Sequence, residues 1–131
     1  MAVTIREISN TDKKGLKEFI FFPIRLYKNV PAYVPPIQDF ELSTFNPKKN
    51  PAYEHSEARF WLAYRGEEIV GRIAGIIHGE EADAHRKIRF GWVDFIDDPV
   101  VSESLIKTVN DWGKENELTK IHGPLGFTDL D

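Results

Sequence analysis

From Ile69 to His78 both alternating sets of residues are largely small or apolar: Ile69, Gly71, Ile73, Gly75 and Ile77 on one side, Val70, Ala74 and Ile76 on the other. A strand that is apolar on both sides has to be covered on both faces, so this run predicts the central strand of a sheet sandwiched between other layers. A second apolar run, Arg59 to Tyr64, precedes it across Arg65-Gly66-Glu67-Glu68. Two such runs joined by a Gly-containing polar turn predict a hairpin. Gly79 to Lys87 reads as a charged loop, and Ile88 to Ile96 as a third long strand with Trp92, Val93, Phe95 and Ile96 at its apolar end.

The flanking segments supply the covering layers. Val3 to Ile8 alternates apolar and polar residues and predicts a first strand, and Ser9-Asn10-Thr11-Asp12 supplies turn and capping side chains. Leu16, Phe19, Ile20, Ile24 and Tyr27 then recur near helical spacing, with Lys13, Lys14, Lys17 and Lys28 on the other faces. Pro23 is expected to kink this helix or break it in two, because proline lacks the amide donor and crowds the preceding turn. Val30 to Pro36 carries three prolines and predicts a rigid connector. Gln38 to Phe45 predicts a short helix with Phe40 or Ile37 packing inward, ended by Asn46-Pro47 and Asn50-Pro51. Asp98-Pro99 is a helix start, since Asp can accept an orphan amide and Pro suits the first helical position. Val101, Leu105, Val109 and Trp112 mark that helix's buried face, which ends near Gly113 or Asn116. Thr119 to His122 then reads as a short strand, making strand, helix and strand a parallel crossover unit.

Composition narrows the function classes. The length of 131 residues fits a single domain over 1–131. A net charge of −4 gives no general pull toward nucleic acid. The chain has no cysteine, hence no disulfide, thiolate nucleophile or zinc-thiolate site. Met1 leads straight into alternating sequence without a signal peptide, and the longest uncharged apolar stretch, Phe19 to Ile24, is too short to span a bilayer. A cytoplasmic protein without membrane contact is the expectation.

The order of elements, with Glu68 to Gly75 as the second arm of the hairpin and Asp94-Phe95-Ile96-Asp97-Asp98 at the end of the following strand, resembles the GNAT (GCN5-related N-acyltransferase) superfamily. More narrowly, Trp92 to Pro99, Val34-Pro35-Pro36 and Ile121-His122-Gly123-Pro124 are similar to an uncharacterised bacterial GNAT-like family. The resemblance implies an α/β fold with a mixed, mostly antiparallel sheet and helices on both faces. A GNAT domain normally continues with another helix and two strands, so the chain is expected to be C-terminally incomplete. It should then either self-associate through its open sheet edge as a homo-oligomer or be poorly stable.

By the same resemblance, acetyl-CoA or another acyl-CoA would be a substrate rather than a tightly bound cofactor. It would lie along Phe95, Ile96, Val100 and Val101, with a small-molecule amine as acceptor and Asp94 as catalytic base. The apolar neighbours of Asp94 would desolvate it and raise its pKa. Active GNAT enzymes close a Gly-rich turn on the coenzyme A pyrophosphate, whereas Asp97-Asp98-Pro99 holds two carboxylates and no glycine. Each carboxylate near a pyrophosphate costs roughly 2–4 kcal/mol at an effective dielectric near 20, against about 0.3–1 kcal/mol from a helix dipole. Asp98 is expected to be a helix cap, Asp97 a solvated turn residue and His122 a structural histidine. The leaving-thiol proton donor of many such enzymes, a Tyr, lies on the absent helix.

Other constellations read as structural. His78, Glu80, Glu81, Asp83 and His85 are metal-ligand types in a solvated loop. Arg86, Lys87, Arg89 and Phe90 read as a surface face. Tyr33, Phe40, Phe45, Tyr53, Phe60 and Trp61 read as core before pocket lining. The expectation is therefore an acyltransferase-like protein of unknown substrate, and the rival is a noncatalytic binding or assembly module on the same scaffold.

Overall fold

A computed structural model describes residues 2–32 and 38–127, apart from the side chains of residues 38–40. The expected inward packing of Ile37 or Phe40, the place of Tyr33 and the Val34-Pro35-Pro36 part of the connector lie outside the described residues.

The strands are β1 (Val3–Ile8), β2 (Ser56–Arg65), β3 (Glu68–His78), β4 (Lys87–Phe95) and β5 (Lys120–His122), in spatial order β1-β2-β3-β4-β5. The first three pairings are antiparallel and β4 with β5 is parallel. The helices are α1 (Lys13–Leu26), α2 (Gln38–Phe45), α3 (Gly79–His85) and α4 (Pro99–Glu115), with a 3-10 turn at Pro51–Glu54. The expected mixed sheet is present. Gly66, at φ 64°, makes the β2–β3 turn in a conformation that other residues adopt only with strain.

As its composition demands, β3 is the middle strand, and each face of the sheet carries its own core. On the α1/α2 face, Phe60, Leu62, Ala74 and Ile76 pack against Leu16, Phe19, Ile20 and Phe45. On the other, Trp61, Ala63, Val70 and Ile73 pack against Val101, Leu105, Val109 and Trp112 of α4. The alternation of β2 thus sends Phe60 and Trp61 to opposite layers. The aromatics read together along the sequence do not line one pocket. Gly75 lets α4 approach closely, since a Cβ there would lie 3.1 Å from ring atoms of both Trp61 and Trp112.

Three expectations are corrected. Helix α1 does not break at Pro23 but runs through it. The proline leaves the Phe19 carbonyl without its helical donor, and Arg72 of β3 supplies one instead, Nη1 donating at 3.0 Å. The charged segment after β3 is not a loop, because Gly79–His85 forms a short helix closed by Arg86 in the left-handed conformation. Arg89 does not belong to a surface face. It is 7% exposed, with Nε and Nη2 donating to the Glu81 carboxylate at 2.6 and 3.1 Å and Nη1 to the Gly126 carbonyl at 3.2 Å.

The Arg89 hydrogen bonds hold the Glu81 carboxyl below its usual range, overcoming the opposing effect of burial. A depressed acid contributes stability that is complete above its unfolded pKa and lost as pH falls through its folded one. Glu81→Gln is expected to flatten the fall in stability below about pH 4, the unperturbed range of Glu. Urea midpoints measured across pH 2–6 check this, and an acid branch as steep as the wild type's would refute it.

Candidate functional site

The place where β4 ends is shaped by an irregularity. Arg72 pairs with Asp94 and Ala74 with Gly91, so Trp92 and Val93 together oppose Ile73 in a β-bulge. Trp92 takes φ 44° and sets its ring edge-on to Phe45, centroids 4.9 Å apart, while Val93 joins the α4 layer. Asp94 therefore faces the α1/α2 layer, and a polar cluster forms there within an otherwise apolar core.

The Asp94 carboxylate accepts from Tyr27 Oη at 2.8 Å and from Arg72 Nε at 3.0 Å. Arg72, only 5% exposed, also stands over the Phe19 ring, 4.9 Å from its centroid. Glu41 of α2 is 8% exposed, and its Oε2 has no hydrogen-bond partner. Burial raises the Glu41 pKa, with Arg72 drawing it back and Asp94 adding to the rise. Asp94, singled out in the sequence as a lone base, is thus a paired carboxylate. Tyr27, Arg72 and Glu41 were not singled out. The one available signal was an arginine in a strand otherwise apolar on both faces, because such a charge needs a partner.

The start of α4 is self-satisfied. Asp98 Oδ1 accepts from the Val100 amide at 2.9 Å, and the Asp98 carbonyl accepts from Val101 at 3.0 Å and Ser102 at 3.3 Å. Pro99 has no amide to offer. Arg65 Nη2 donates to Asp98 Oδ2 at 2.5 Å. That bond and the Val100 amide hold the Asp98 pKa low. Asp98 is the expected cap, but it is not a free charge. Arg65 offsets it, so Asp97, exposed to solvent, is the one uncompensated carboxylate of the pair.

Of the residues expected along an acyl-CoA, Phe95 and Val100 are exposed and Ile96 is half-buried. Val101 is a core residue with 0% exposure, so its side chain packs in the α4 layer and its amide is already bonded. A pyrophosphate arriving at α4 would have to compete with Asp98 for the Val100 amide. His122 is exposed and pairs with Arg89 in the parallel ladder. Beyond it the Leu125 amide donates to the Phe90 carbonyl at 2.8 Å, and Gly91 lies against the Leu125 backbone. Phe127 then packs beside Tyr53 and Trp92, at 4.8 and 5.9 Å between centroids. Among the described residues no group of three or more His, Asp or Glu is placed to hold a metal ion, and no helix is long and apolar enough to cross a membrane.

This arrangement has known counterparts. A tandem GNAT protein from the clavulanic acid biosynthesis pathway superposes on 91% of this chain and 35% of its own, with TM-score 0.69 and 12% identity. The chain has the GNAT fold. A predicted acetyltransferase from Clostridium acetobutylicum, solved with acetyl-CoA, shares that fold over 95% of this chain and 81% of its own, at TM-score 0.61 and 14% identity. In sequence, the chain is 36% identical over 118 residues to protein YghO of Escherichia coli (strain K12), covering 88% of this chain. It is 31% identical over 116 residues to the bacterial ceramide synthase of Caulobacter vibrioides (strain NA1000 / CB15N), covering 86% of this chain. It spans 30% of the length of each of these two relatives. No family model matches it. The GNAT resemblance read from the hairpin and from the end of β4 is therefore right about the fold.

Proposed function

We propose that this GNAT domain serves N-acyl transfer, joining an acyl group carried as a coenzyme A thioester to a primary amine. The observation that carries this reading is the cluster at the carboxyl end of β4, in which half-buried Tyr27 and Asp94 meet buried Arg72, with buried Glu41 beside them. Ligand crevices in open α/β sheets lie outside such strand ends, and ionisable groups perturbed by burial and by charged neighbours cluster at functional sites. The likeness to a ceramide synthase favours an acceptor with a long alkyl chain, because a ceramide is the amide of a long-chain amino alcohol. A coenzyme A donor suits a cytoplasmic site.

The test incubates the intact protein with acetyl-CoA or palmitoyl-CoA and a long-chain amino alcohol, following free thiol and amide together. Equal amounts of both are expected, and thiol release no faster than without the amine would sink the reading. Asp97→Gly should tighten acyl-CoA binding by about three- to tenfold, the repulsion of one exposed charge after solvent screening. An unchanged affinity would remove the electrostatic argument.

One observation favours a second reading. Every first-turn amide of α4 is absent or already bonded, as in a scaffold that has given up its anion site. A noncatalytic binding or assembly module, pairing through an outer strand, would show no saturable acyl-CoA binding up to millimolar concentrations.

A further inference from the structure

A carboxyl group withdrawn from water with one oxygen unanswered is costly, at about 1–3 kcal/mol for the unsatisfied acceptor alone. Glu41 is such a group, more than nine-tenths buried and with Oε2 unpartnered. The hydrogen bonds of the neighbouring polar side chains go elsewhere. Tyr27, at the end of α1, and Arg72 Nε of β3 are committed to Asp94 of β4, and Arg72 Nη1 to the Phe19 carbonyl. Because Arg72 and Asp94 neutralise each other, the charge left over in the cluster is that of Glu41.

A donor is what Oε2 lacks, and the ionised form of Glu41 would also favour positive charge; a primary ammonium supplies both. We propose that the Glu41 carboxyl binds the acceptor amine and takes its proton, an inference that rests on the N-acyl transfer reading. The ammonium gives one proton to Glu41. The freed nitrogen lone pair then forms the N–C bond at the thioester carbonyl, and the C–S bond breaks as the tetrahedral intermediate collapses. The proton remaining on nitrogen beyond the amide N–H passes to the leaving thiolate, giving amide and free thiol, and Glu41 returns its proton to solvent. Asp94 is then a positioning residue, because by holding Arg72 Nε it leaves Arg72 acting on Glu41 through charge and not through a hydrogen bond to Oε2. The burial that raises the proton affinity of Glu41 suits it to this exchange better than a carboxylate held in an ion pair.

Calorimetric titration with octylamine, without thioester, tests the binding half. Wild type is expected to bind, Glu41→Gln about 10- to 100-fold more weakly as a charged hydrogen bond is lost, and Glu41→Asp in between. The melting temperature of Glu41→Gln should equal or exceed the wild type's, since it removes a buried carboxylate that no neighbour satisfies. Should that variant fold poorly, Glu41→Met fills the same volume and repeats the comparison. With acyl-CoA present, the acid limb of the pH profile of kcat/KM should disappear in Glu41→Gln, and the rate should fall about 100-fold or more. Thiol release that is equal in wild type and Glu41→Gln overturns the proposal and leaves N-acyl transfer standing. Octylamine binding that depends on Glu41, with no thiol release, upholds the amine site and overturns N-acyl transfer.

Discussion

Arg72→Met is expected to lower the unfolding free energy by about 3–5 kcal/mol, the usual cost of removing one member of a buried ion pair. Methionine fills much of the arginine stem's volume, so the loss reports charge and hydrogen bonding more than packing. Two groups are stranded at once. Asp94, whose side chain is 17% exposed, keeps only the Tyr27 hydroxyl of its two charge-stabilising bonds described above. The Phe19 carbonyl loses its donor inside α1, where Pro23 cannot supply another. This second loss can be isolated. Pro23→Ala restores the helical amide, so in the Arg72→Met background it should recover about 1 kcal/mol, the net worth of one intramolecular hydrogen bond. Urea unfolding of wild type, Arg72→Met and the double variant measures both effects. An Arg72→Met variant within 1 kcal/mol of wild type would mean that the Asp94 carboxylate is not held as described.

The contrast between β3 and the cluster it carries explains how much of the molecule was legible in its sequence. The placing of β3 at the centre, the hairpin, the Asp98 cap and the buried face of α4 all follow from periodicities of two or near four residues and from local capping chemistry. Those signals lie within a few residues of one another. The partners of Arg72 do not, because Phe19 is 53 residues away and Asp94 is 22. An arginine in an apolar strand signals that a partner exists, but no local pattern says which residue it is. The same holds for Arg89, whose charge and neighbours suggested an exposed face until α3 brought Glu81 over it.

The break expected at Pro23 is absent for a related reason. The rule that proline breaks a helix assumes that the freed carbonyl finds no donor, and here a side chain from the sheet provides one. Glu41 was hidden because α2 has no pronounced apolar face that would mark one of its polar residues as buried. At the candidate site, then, the sequence indicated a strand end and a carboxylate. The bulge at Trp92 and the pairing across the sheet decide what that carboxylate does.

The site also depends on how α2 is fastened, and this is where the second large effect is expected. Phe45→Ala should destabilise the protein by about 3–5 kcal/mol, the range for truncating a fully buried phenylalanine. Its ring is closed off from solvent and meets three others: Phe19 edge-on at 5.7 Å, Phe60 at 4.8 Å and Trp92 edge-on at 4.9 Å. The Phe45 carbonyl is held as well, accepting from Tyr53 Oη at 2.7 Å. Burial pushes the Tyr53 pKa up to about 12, which keeps that hydroxyl a donor throughout the working pH range. Glu41 lies one helical turn before Phe45, so the ring that anchors α2 also holds the carboxyl in place. Phe45→Leu, which keeps most of the apolar volume, should cost less than half as much and preserve octylamine binding, whereas Phe45→Ala should lose both stability and binding. Chemical denaturation and calorimetry on the two variants separate these outcomes. An alanine variant that unfolds like wild type would show that α2 is not docked through this ring, and Glu41 would then have no fixed position from which to meet an amine.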